Sequence, residues 1–325
     1  MSSVFYDKMK EATPMPALFA DLHTDSVIRP ATLGIPLCAP YHASSAAARL
    51  RVTACFPGSG REPRTTRRAR LFRMLDALDG AVREEMLFPV RSVADLAAFS
   101  VCGGDAVLFA VEGGGFFLRD LPLLYTRGVR ILSLVWDKNE FGASSRESGT
   151  LEDTGLSALG RKAVSLCERL GILVDISHLS DNSFRDVATN TARPLLATHS
   201  NFRAVCPHPR NLTDEAATLI AARDGLIGLN LYPPFLSSTR GATLDDLLFH
   251  VEHGLSLCGD GTLALGTDMD GTGGEYPRGV SLSDSVYDRV ADALLCRYSA
   301  TVVSRIVGEN ARKFLQNHLP MGDPK

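Results

Sequence analysis

The sequence predicts an α/β fold of the (β/α)₈ type, a TIM barrel, and three observations support this prediction. Eight apolar runs bounded by turn residues are typical of buried parallel strands, at 17–23, 50–57, 105–112, 129–136, 171–178, 194–199, 225–232 and 262–268. Segments with helical spacing separate several of these runs, and five runs end in a residue that can bind a metal or move a proton. The 325 residues exceed the roughly 250 that such a barrel needs, so we expect a single domain over residues 1–325.

Two helices between the predicted strands have clear boundaries. Over 155–170, leucine and alanine residues recur at three- and four-residue intervals on one face, and Gly171 follows as a helix stop. Thr213 is a suitable N-cap for a helix over 214–223, with Asp214 and Glu215 in its first turn. An open doubly wound sheet would show the same alternation. Eight strands, with candidate ligands from the first to the last, favour a closed barrel.

Composition and charge favour a protein that acts on small molecules. The net charge of −3 argues against a general affinity for nucleic acid or acidic membranes. No apolar run approaches the roughly 18 residues of a membrane span, and the first residues lack the apolar core of a signal peptide. Seven scattered cysteines without a CxxC pair are typical of reduced thiols, so we expect a cytoplasmic protein. We interpret the basic stretch 58–73 as a solvated loop leading into a helix.

Polar groups of defined chemistry end five predicted strands, namely His23, Glu112, His178, His199 and Asp268. The carboxyl ends of parallel strands meet at one rim of a barrel, where barrel enzymes have their active sites. Asp25 lies two residues after His23, so both side chains can face the same side of an extended strand end. One imidazole and one carboxylate suit a divalent ion such as zinc, although a histidine with a purely structural role would fit this short motif equally well.

Glu112 closes a fully apolar strand, where a bare carboxylate is costly to bury unless a cation compensates its charge. The alternative is an ion pair with an arginine of a neighbouring loop. His178 and His199 end consecutive strands, and this pairing favours ligands over hydrogen-bonded core residues. The three residues predict a second set of ligands. Two ions that share Glu112 would lie about 3.5–4 Å apart, close enough for a hydroxide to bridge them.

Asp268 ends the last predicted strand. A carboxylate there could take a proton from the bridging water and pass it to a leaving group, as a general base and then a general acid. Asp270, two residues later, is an ambiguous partner. We interpret Asp268 as the catalytic residue because it closes the apolar run, and Asp270 as a turn residue or a support for a ligand.

Eight segments, in the same order across nearly the whole chain, resemble the membrane dipeptidase (renal dipeptidase) family, the M19 metallopeptidases of the amidohydrolase superfamily. They are ADLHTDS at 20–26, AVEGG at 110–114, GVRILSL at 128–134, GILVDISHLS at 171–180, PLLATHSN at 194–201, PHPRNLTDE at 207–215, LGTDMDG at 265–271 and VGENARKFL at 307–315. The resemblance implies a TIM barrel with two zinc ions bridged by a hydroxide. It also implies hydrolysis of dipeptides, including those with a C-terminal D-residue.

The resemblance also implies a role for each site residue. The metal ligands would be His23 and Asp25 for one zinc ion, His178 and His199 for the other, and Glu112 for both. Asp268 matches the proton shuttle, while Arg210 and Asn211 fall in the substrate-binding segment. The planar guanidinium of Arg210 would hold the substrate's C-terminal carboxylate through two parallel hydrogen bonds. Family members are often homodimers, so the resemblance is compatible with a homodimer.

Trp136, the single tryptophan of the chain, departs from the mammalian members, which carry a histidine at this strand end. An indole N–H can donate one hydrogen bond but cannot move a proton at neutral pH. We interpret Trp136 as a residue of the substrate pocket, either in contact with the substrate or packed in the wall. Two rival functions are hydrolysis of a lactone or cyclic amide on the same scaffold, and a non-catalytic metal-binding relative.

Overall fold

Parallel strands form a closed ring in the computed structural model, which describes residues 16–38, 44–239, 241–280 and 285–322. The pairing order is β2-β1-β9-β8-β7-β6-β5-β4, and β2 pairs with β4 along its whole length to close the ring. The strands are β1 (Leu18–Thr24), β2 (Ala48–Cys55), β3 (Phe88–Pro89), β4 (Gly104–Val111), β5 (Val129–Ser133), β6 (Leu173–Asp175), β7 (Leu196–Ala197), β8 (Leu226–Leu229) and β9 (Leu263–Leu265). The predicted eight-stranded barrel is confirmed. The short strand β3 is an addition that pairs only with the first half of β4.

Helices follow the strands and cover the outside of the ring. They are α1 (Arg64–Glu84), α2 (Val93–Cys102), α3 (Leu121–Thr126), α4 (Ala158–Leu170), α5 (Asp181–Asn190), α6 (Asp214–Ala222), α7 (Pro233–Leu236), α8 (Leu244–Cys258), α9 (Val286–Leu295), α10 (Ala300–Ser304) and α11 (Asn310–His318). Shorter helical turns lie at Arg29–Leu33, Leu118–Asp120, Ser145–Glu147 and Arg305–Glu309. None of the described helices is both long and apolar enough to cross a membrane.

Both predicted helices are present, and the predicted end of one at Gly171 and start of the other at Thr213 are confirmed. Ser157 caps α4 by accepting a hydrogen bond from the backbone N–H of Gly160, so the helix starts three residues later than the apolar spacing predicts. Gly171 ends α4 with φ +82°, a left-handed conformation that glycine adopts without strain. The Thr213 hydroxyl caps α6 by accepting from the backbone N–H of Ala216.

Side chains of the barrel strands alternate between two buried layers. Along β4, Ala106, Leu108 and Ala110 belong to an inner cluster to which all eight barrel strands contribute. The alternate residues of β4 pack in an outer cluster, against the helices. Because both faces are buried, the strands consist of continuous apolar runs. Phe99 of α2 and Phe314 of α11 join the inner cluster, so it is covered at the amino ends of the strands.

Two buried aspartates replace backbone pairing near the carboxyl ends of the strands. Asp175, the last residue of β6, accepts the backbone N–H of Thr198 at 2.9 Å. Asp21 of β1 accepts the backbone N–H of Thr267 at 2.9 Å, together with the hydroxyls of Thr267 and Tyr287. The ladder between β1 and β9 is a single residue pair, and Thr24 pairs again with Met269 beyond β9. Asp21 fastens the seam between the first and last strands in the stretch between these two pairs. Each carboxylate accepts a hydrogen bond from a backbone N–H group that would otherwise extend a strand ladder. The strands β6, β7 and β9 accordingly end earlier than the apolar runs predict.

The basic stretch 58–73 leads into α1, as expected, but it is not a solvated loop throughout. Arg67 is buried and its Nη2 lies 2.7 Å from Glu140 Oε2. Arg68 donates two hydrogen bonds of 2.8 Å to the carboxylate of Asp120. Acidic groups from loops after later strands therefore neutralise part of the stretch.

Glycines at the ends of β8 and β9 permit a close approach to Thr198. A Cβ at Gly266 would overlap the carbonyl oxygen of Thr198, a backbone atom that cannot rotate away. We expect Gly266→Ala to lower the free energy of unfolding by about 1–3 kcal/mol, measured by equilibrium urea unfolding. Gly261→Ala is the matched control, because a Cβ there meets no atom within 4 Å. Equal stability of the two variants would contradict the expectation.

Candidate metal centre and substrate pocket

One oxygen of Glu112 lies among three imidazole rings. Glu112 Oε1 is 2.8 Å from His178 Nε2, 3.5 Å from His199 Nε2 and 3.6 Å from His23 Nε2. The residue directly follows β4, His23 belongs to β1, and the other two histidines follow β6 and β7. The carboxyl ends of four strands therefore bring these side chains to one point, where a shared ligand of two ions would lie.

The donor atoms fall into three overlapping groups, one of which combines His23, Asp175 and His199. Glu112, His178 and His199 each present one ligand atom within 4.8 Å of the others, and the same holds for His23, Asp25 and Asp268. His178 Nε2 and His199 Nε2 are 3.0 Å apart, and His23 Nε2 is 3.7 Å from Asp25 Oδ2. His23 Nε2 and Asp25 Oδ1 are buried without a hydrogen-bond partner among the described residues.

This donor set fits divalent cations. The carboxylates of Asp25, Glu112 and Asp268 outnumber the single buried guanidinium of Arg210, so the cluster has an excess of negative charge. His23 Nε2 and Asp25 Oδ1 have no hydrogen-bond partner in the described part of the chain, and burying such polar atoms is costly unless a cation compensates. Imidazole and carboxylate are the ligands that suit zinc.

The pKa values of the cluster are also shifted by burial and by the excess of carboxylates. Burial lowers the pKa of His23, but the carboxylates of Glu112 and Asp25 outweigh it and raise this pKa to about 10. Burial raises the pKa of Glu112 to about 7 and that of Asp25 to about 6. Burial also lowers the pKa of His178 and of His199 well below the ordinary value. These two imidazoles are therefore neutral, the form that binds a metal.

A hydrogen-bond chain beneath the histidines fixes their orientation. Thr198 Oγ1 lies 2.7 Å from His199 Nδ1 and 3.3 Å from His23 Nδ1, and it donates to Asp175 Oδ2 at 2.7 Å. Asp175 also accepts from the Ser133 hydroxyl at 2.6 Å. When Nδ1 carries the proton, both rings direct their Nε2 lone pairs at the cluster. Asp175 and Thr198 were not predicted as site residues. Each is a polar residue inside an apolar run, and this pattern could have indicated their role.

We expect Thr198→Val to weaken metal binding by about 10- to 100-fold, because it keeps the shape of the side chain and removes the hydroxyl. Metal retention against a graded chelator would measure the effect, with circular dichroism as a check of the fold. Thr198→Ser restores the hydroxyl and should behave like the unmodified protein. Retention by the valine variant equal to that of the serine variant would show that the hydroxyl does not orient the ligands.

Asp268 is held in an unusual backbone conformation beside the cluster. Its φ is +63°, a left-handed value that is rare for residues other than glycine, and such strain is concentrated at functional sites. Asn230 Nδ2 donates to Asp268 Oδ2 at 3.0 Å, and burial raises the pKa of the carboxyl. Asp270 Oδ1 lies 3.7 Å from Arg29 Nη1, so this carboxylate is paired with a different side chain. A Cβ at Gly271 would overlap Asp25 and Asp268, so glycine permits this tight loop.

Arg210 presents unsatisfied donors inside the structure. It is 4% exposed, and its Nη1 donates to the Ser200 hydroxyl at 2.7 Å. Its Nε and Nη2 are buried and have no hydrogen-bond partner in the described part of the chain. These two groups form one edge of the guanidinium, which matches a carboxylate through two parallel hydrogen bonds. Burial lowers the pKa of Arg210 to about 10, so it remains charged at neutral pH.

Asn211 and Trp136 lie in different surroundings. Asn211 Nδ2 donates to the carbonyl oxygens of Cys206 at 2.9 Å and Phe235 at 2.8 Å, so its amide group fixes the loop that carries Arg210. Trp136 is partly exposed, and its ring centroid is 6.1 Å from that of His178 and 5.0 Å from that of Phe56. Trp136 thus lies between Phe56 and His178, beside the candidate metal centre.

The sequence is similar to that of known dipeptidases. Residues 45–318 match the model of a family described as membrane dipeptidase (peptidase family M19). An uncharacterized protein in the pqqA 5′ region of Klebsiella pneumoniae is 32% identical over 237 residues, which are 66% of this chain and 84% of that protein. Dipeptidase aclJ of Aspergillus oryzae is 29% identical over 74% of this chain. The chain spans 60% of aclJ and 44% of an uncharacterized Schizosaccharomyces pombe dipeptidase.

Solved structures share the fold at low sequence identity. The M19 dipeptidase AC superposes with a TM-score of 0.81 at 24% identity, over 94% of this chain and 99% of that one. A metallopeptidase from Rhodobacter sphaeroides, liganded with a phosphinate mimic of the dipeptide L-Ala-D-Ala, gives a TM-score of 0.82 at 22% identity. That alignment covers 94% of this chain and 100% of the other.

Proposed function

The chain belongs to the membrane dipeptidase family, peptidase family M19, a family of metal-dependent peptide-bond hydrolases, and on that premise we propose that it is a zinc-dependent dipeptidase. The observation that carries the proposal is a pair of donor groups beside a buried guanidinium with a free bidentate edge, where Glu112 belongs to one group and lies 3.6 Å from His23 of the other. In this proposal His23 and Asp25 would hold one zinc ion, and His178 and His199 would hold the other. Glu112 would be the ligand common to both ions.

Each remaining residue has a task that follows from its surroundings. Two zinc ions would supply a hydroxide nucleophile at neutral pH and would polarise the scissile carbonyl. Arg210 holds the C-terminal carboxylate of the substrate with its Nε and Nη2, and so places the peptide bond over the cluster. Asp268, held by Asn230, takes a proton from the nucleophile and returns it to the departing amine. Trp136 limits access of water on the His178 side.

The proposed substrates are dipeptides, including those with a C-terminal D-residue. A carboxylate anchor requires a free C-terminus and places no constraint on the configuration of the α-carbon. The L-Ala-D-Ala mimic bound by the Rhodobacter sphaeroides relative supports this extension. Arg210 also favours a dipeptide over the rival substrates, because neutral lactones and cyclic amides offer its buried charge no counter-ion.

We expect the zinc-loaded protein to hydrolyse dipeptides and to reject their C-terminal amides. Arg210→Met should lower kcat/KM for dipeptides by about 10- to 100-fold and leave the slow turnover of the amides nearly unchanged, since it removes charge-assisted hydrogen bonds to the carboxylate. The assay is a panel of L,L and L,D dipeptides, their amides, lactones and cyclic amides, with and without a chelator.

Arg185→Met serves as the control for the panel, because Arg185 is exposed and pairs with Glu215 on the surface. Turnover of lactones or cyclic amides without turnover of any dipeptide would replace the proposed function with the rival one. A metal-loaded protein that hydrolyses none of the panel would instead be a non-catalytic relative.

A further inference from the structure

The guanidinium of Arg146 lies over the indole of Trp136, the neighbour of His178 in the candidate metal centre. Its Cζ is 5.2 Å from the centroid of the Trp136 ring, within the range of a cation–π contact. Arg146 is exposed, and no carboxylate lies within ion-pair distance of it among the described residues. The neighbouring acid, Glu147, turns away and accepts from the backbone and hydroxyl of Ser144 at 2.8 Å. Arg146 thus offers a cation that the fold leaves uncompensated.

The turn that carries Arg146 is fastened to the candidate metal centre. Ser145 donates its backbone N–H to the carbonyl oxygen of His178 at 2.8 Å. The ring centroids of Trp136 and His178 are 6.1 Å apart, so Arg146 Cζ lies no farther than about 11 Å from the His178 ring. Consecutive Cα atoms are about 3.8 Å apart, so a dipeptide at the centre has a side chain within reach of Arg146.

The positions of Arg210 and Arg146 indicate which residue of a bound dipeptide has its side chain near Arg146. Arg210, the proposed anchor of the C-terminal carboxylate, lies in the loop after β7, next to Ser200. Trp136 follows β5, on the other side of β6 and His178. The surroundings of Arg210 are aromatic, with its Cζ 5.6 Å from the Phe235 ring centroid. A dipeptide anchored on Arg210 therefore directs its N-terminal residue towards Trp136 and Arg146.

We propose that Arg146 selects dipeptides whose N-terminal residue carries an acidic side chain. This inference rests on the proposed dipeptidase function and adds the substrate class. Stacking on Trp136 holds the guanidinium in place, and the carboxylate of an N-terminal aspartate or glutamate accepts its hydrogen bonds. Because the rim is partly solvated, the discrimination is modest, about three- to tenfold in kcat/KM.

The test compares each acidic substrate with its neutral amide isostere. We expect kcat/KM of Glu-Ala over Gln-Ala, or of Asp-Ala over Asn-Ala, to be about three to ten in the unmodified protein. Arg146→Gln should bring this ratio close to one, and Arg146→Glu should shift the preference to Lys-Ala. Arg185→Gln changes an exposed arginine elsewhere and should keep the original ratio. The pair Ala-Asp and Ala-Asn, measured alongside, reports on the C-terminal position.

This inference would be overturned if the acid-to-amide ratio of kcat/KM were near one in the unmodified protein, or if the ratio were unchanged in Arg146→Gln. In either case, turnover of Ala-Ala would still support the dipeptidase function. A preference confined to Ala-Asp over Ala-Asn would overturn the assignment to the N-terminal residue. If the protein hydrolysed no dipeptide at all, Ala-Ala included, both the proposed function and this inference would be overturned. Arg146 is exposed, so its substitution leaves the core intact.

Discussion

Glu112→Gln is expected to lower dipeptide turnover by at least about a thousandfold, more than the 10- to 100-fold loss typical of residues that only support a metal ligand. The three imidazole Nε2 atoms that surround Glu112 Oε1 lie within 3.6 Å of it, so no other side chain can take its place. A glutamine removes the negative charge and leaves a single oxygen to serve two ions. Metal content after exhaustive dialysis, measured on the same sample as activity, should fall below that of the unmodified protein.

Glu215→Gln is the matched control for this substitution, because Glu215 is exposed on α6, pairs with Arg185 and belongs to none of the donor groups. It should retain both metal content and turnover. If Glu112→Gln bound as much metal as the control and hydrolysed dipeptides at the same rate, Glu112 would not be the shared ligand. The alternative of an ion pair between Glu112 and a loop arginine would then need to be reconsidered.

Asp268→Asn should retain its metal and lose about 10²- to 10⁴-fold in kcat, the usual contribution of a positioned general acid and base. Asparagine tolerates the left-handed backbone that this position requires, so the loop should keep its shape. KM should change little, because the carboxylate anchor Arg210 is untouched. Steady-state kinetics with metal analysis on each preparation separates lost catalysis from lost metal.

Asp270→Asn is the matched control for Asp268→Asn, since Asp270 has a similar φ of +65° and lies two residues away. Its carboxylate pairs with Arg29 and is absent from the donor groups, so we expect a much smaller loss of kcat. Equal losses in the two variants would mean that the loop conformation, and not proton transfer by Asp268, limits the reaction.

The barrel, and the position of the candidate metal ligands at one rim of it, could be predicted because both follow from local patterns. Continuous apolar runs indicate strands buried on two faces, and parallel strands bring their carboxyl ends together. His23, Glu112 and His199 follow or end such strands, so their proximity needs no knowledge of the loops. The exact strand ends could not be predicted, because Asp21 and Asp175 replace backbone pairing with side-chain hydrogen bonds.

The roles of residues whose partners are distant in sequence could not be predicted from sequence patterns. Arg67 lies in a basic stretch that looks solvated, yet it is buried against Glu140, 73 positions along the chain. Arg210 could be recognised only through the family resemblance, since its role depends on burial and on the orientation of its donors. The amide of Asn211, expected at the substrate, donates instead to the backbone carbonyls of Cys206 in its own loop and Phe235 in α7.

The seam fastened by Asp21 has a consequence for how the protein becomes active during its synthesis. One donor group combines His23 and Asp25 from the start of the chain with Asp268 from near its end, and Tyr287 of α9 donates to Asp21 at 3.1 Å. A nascent chain therefore lacks part of this group until the ribosome has made the last barrel strand. In early fragments His23 and Asp25 lack that geometry. Under the proposed function, ring closure would complete the site at His23, Asp25 and Asp268, and an ion bound there would tie the first barrel strand to the last.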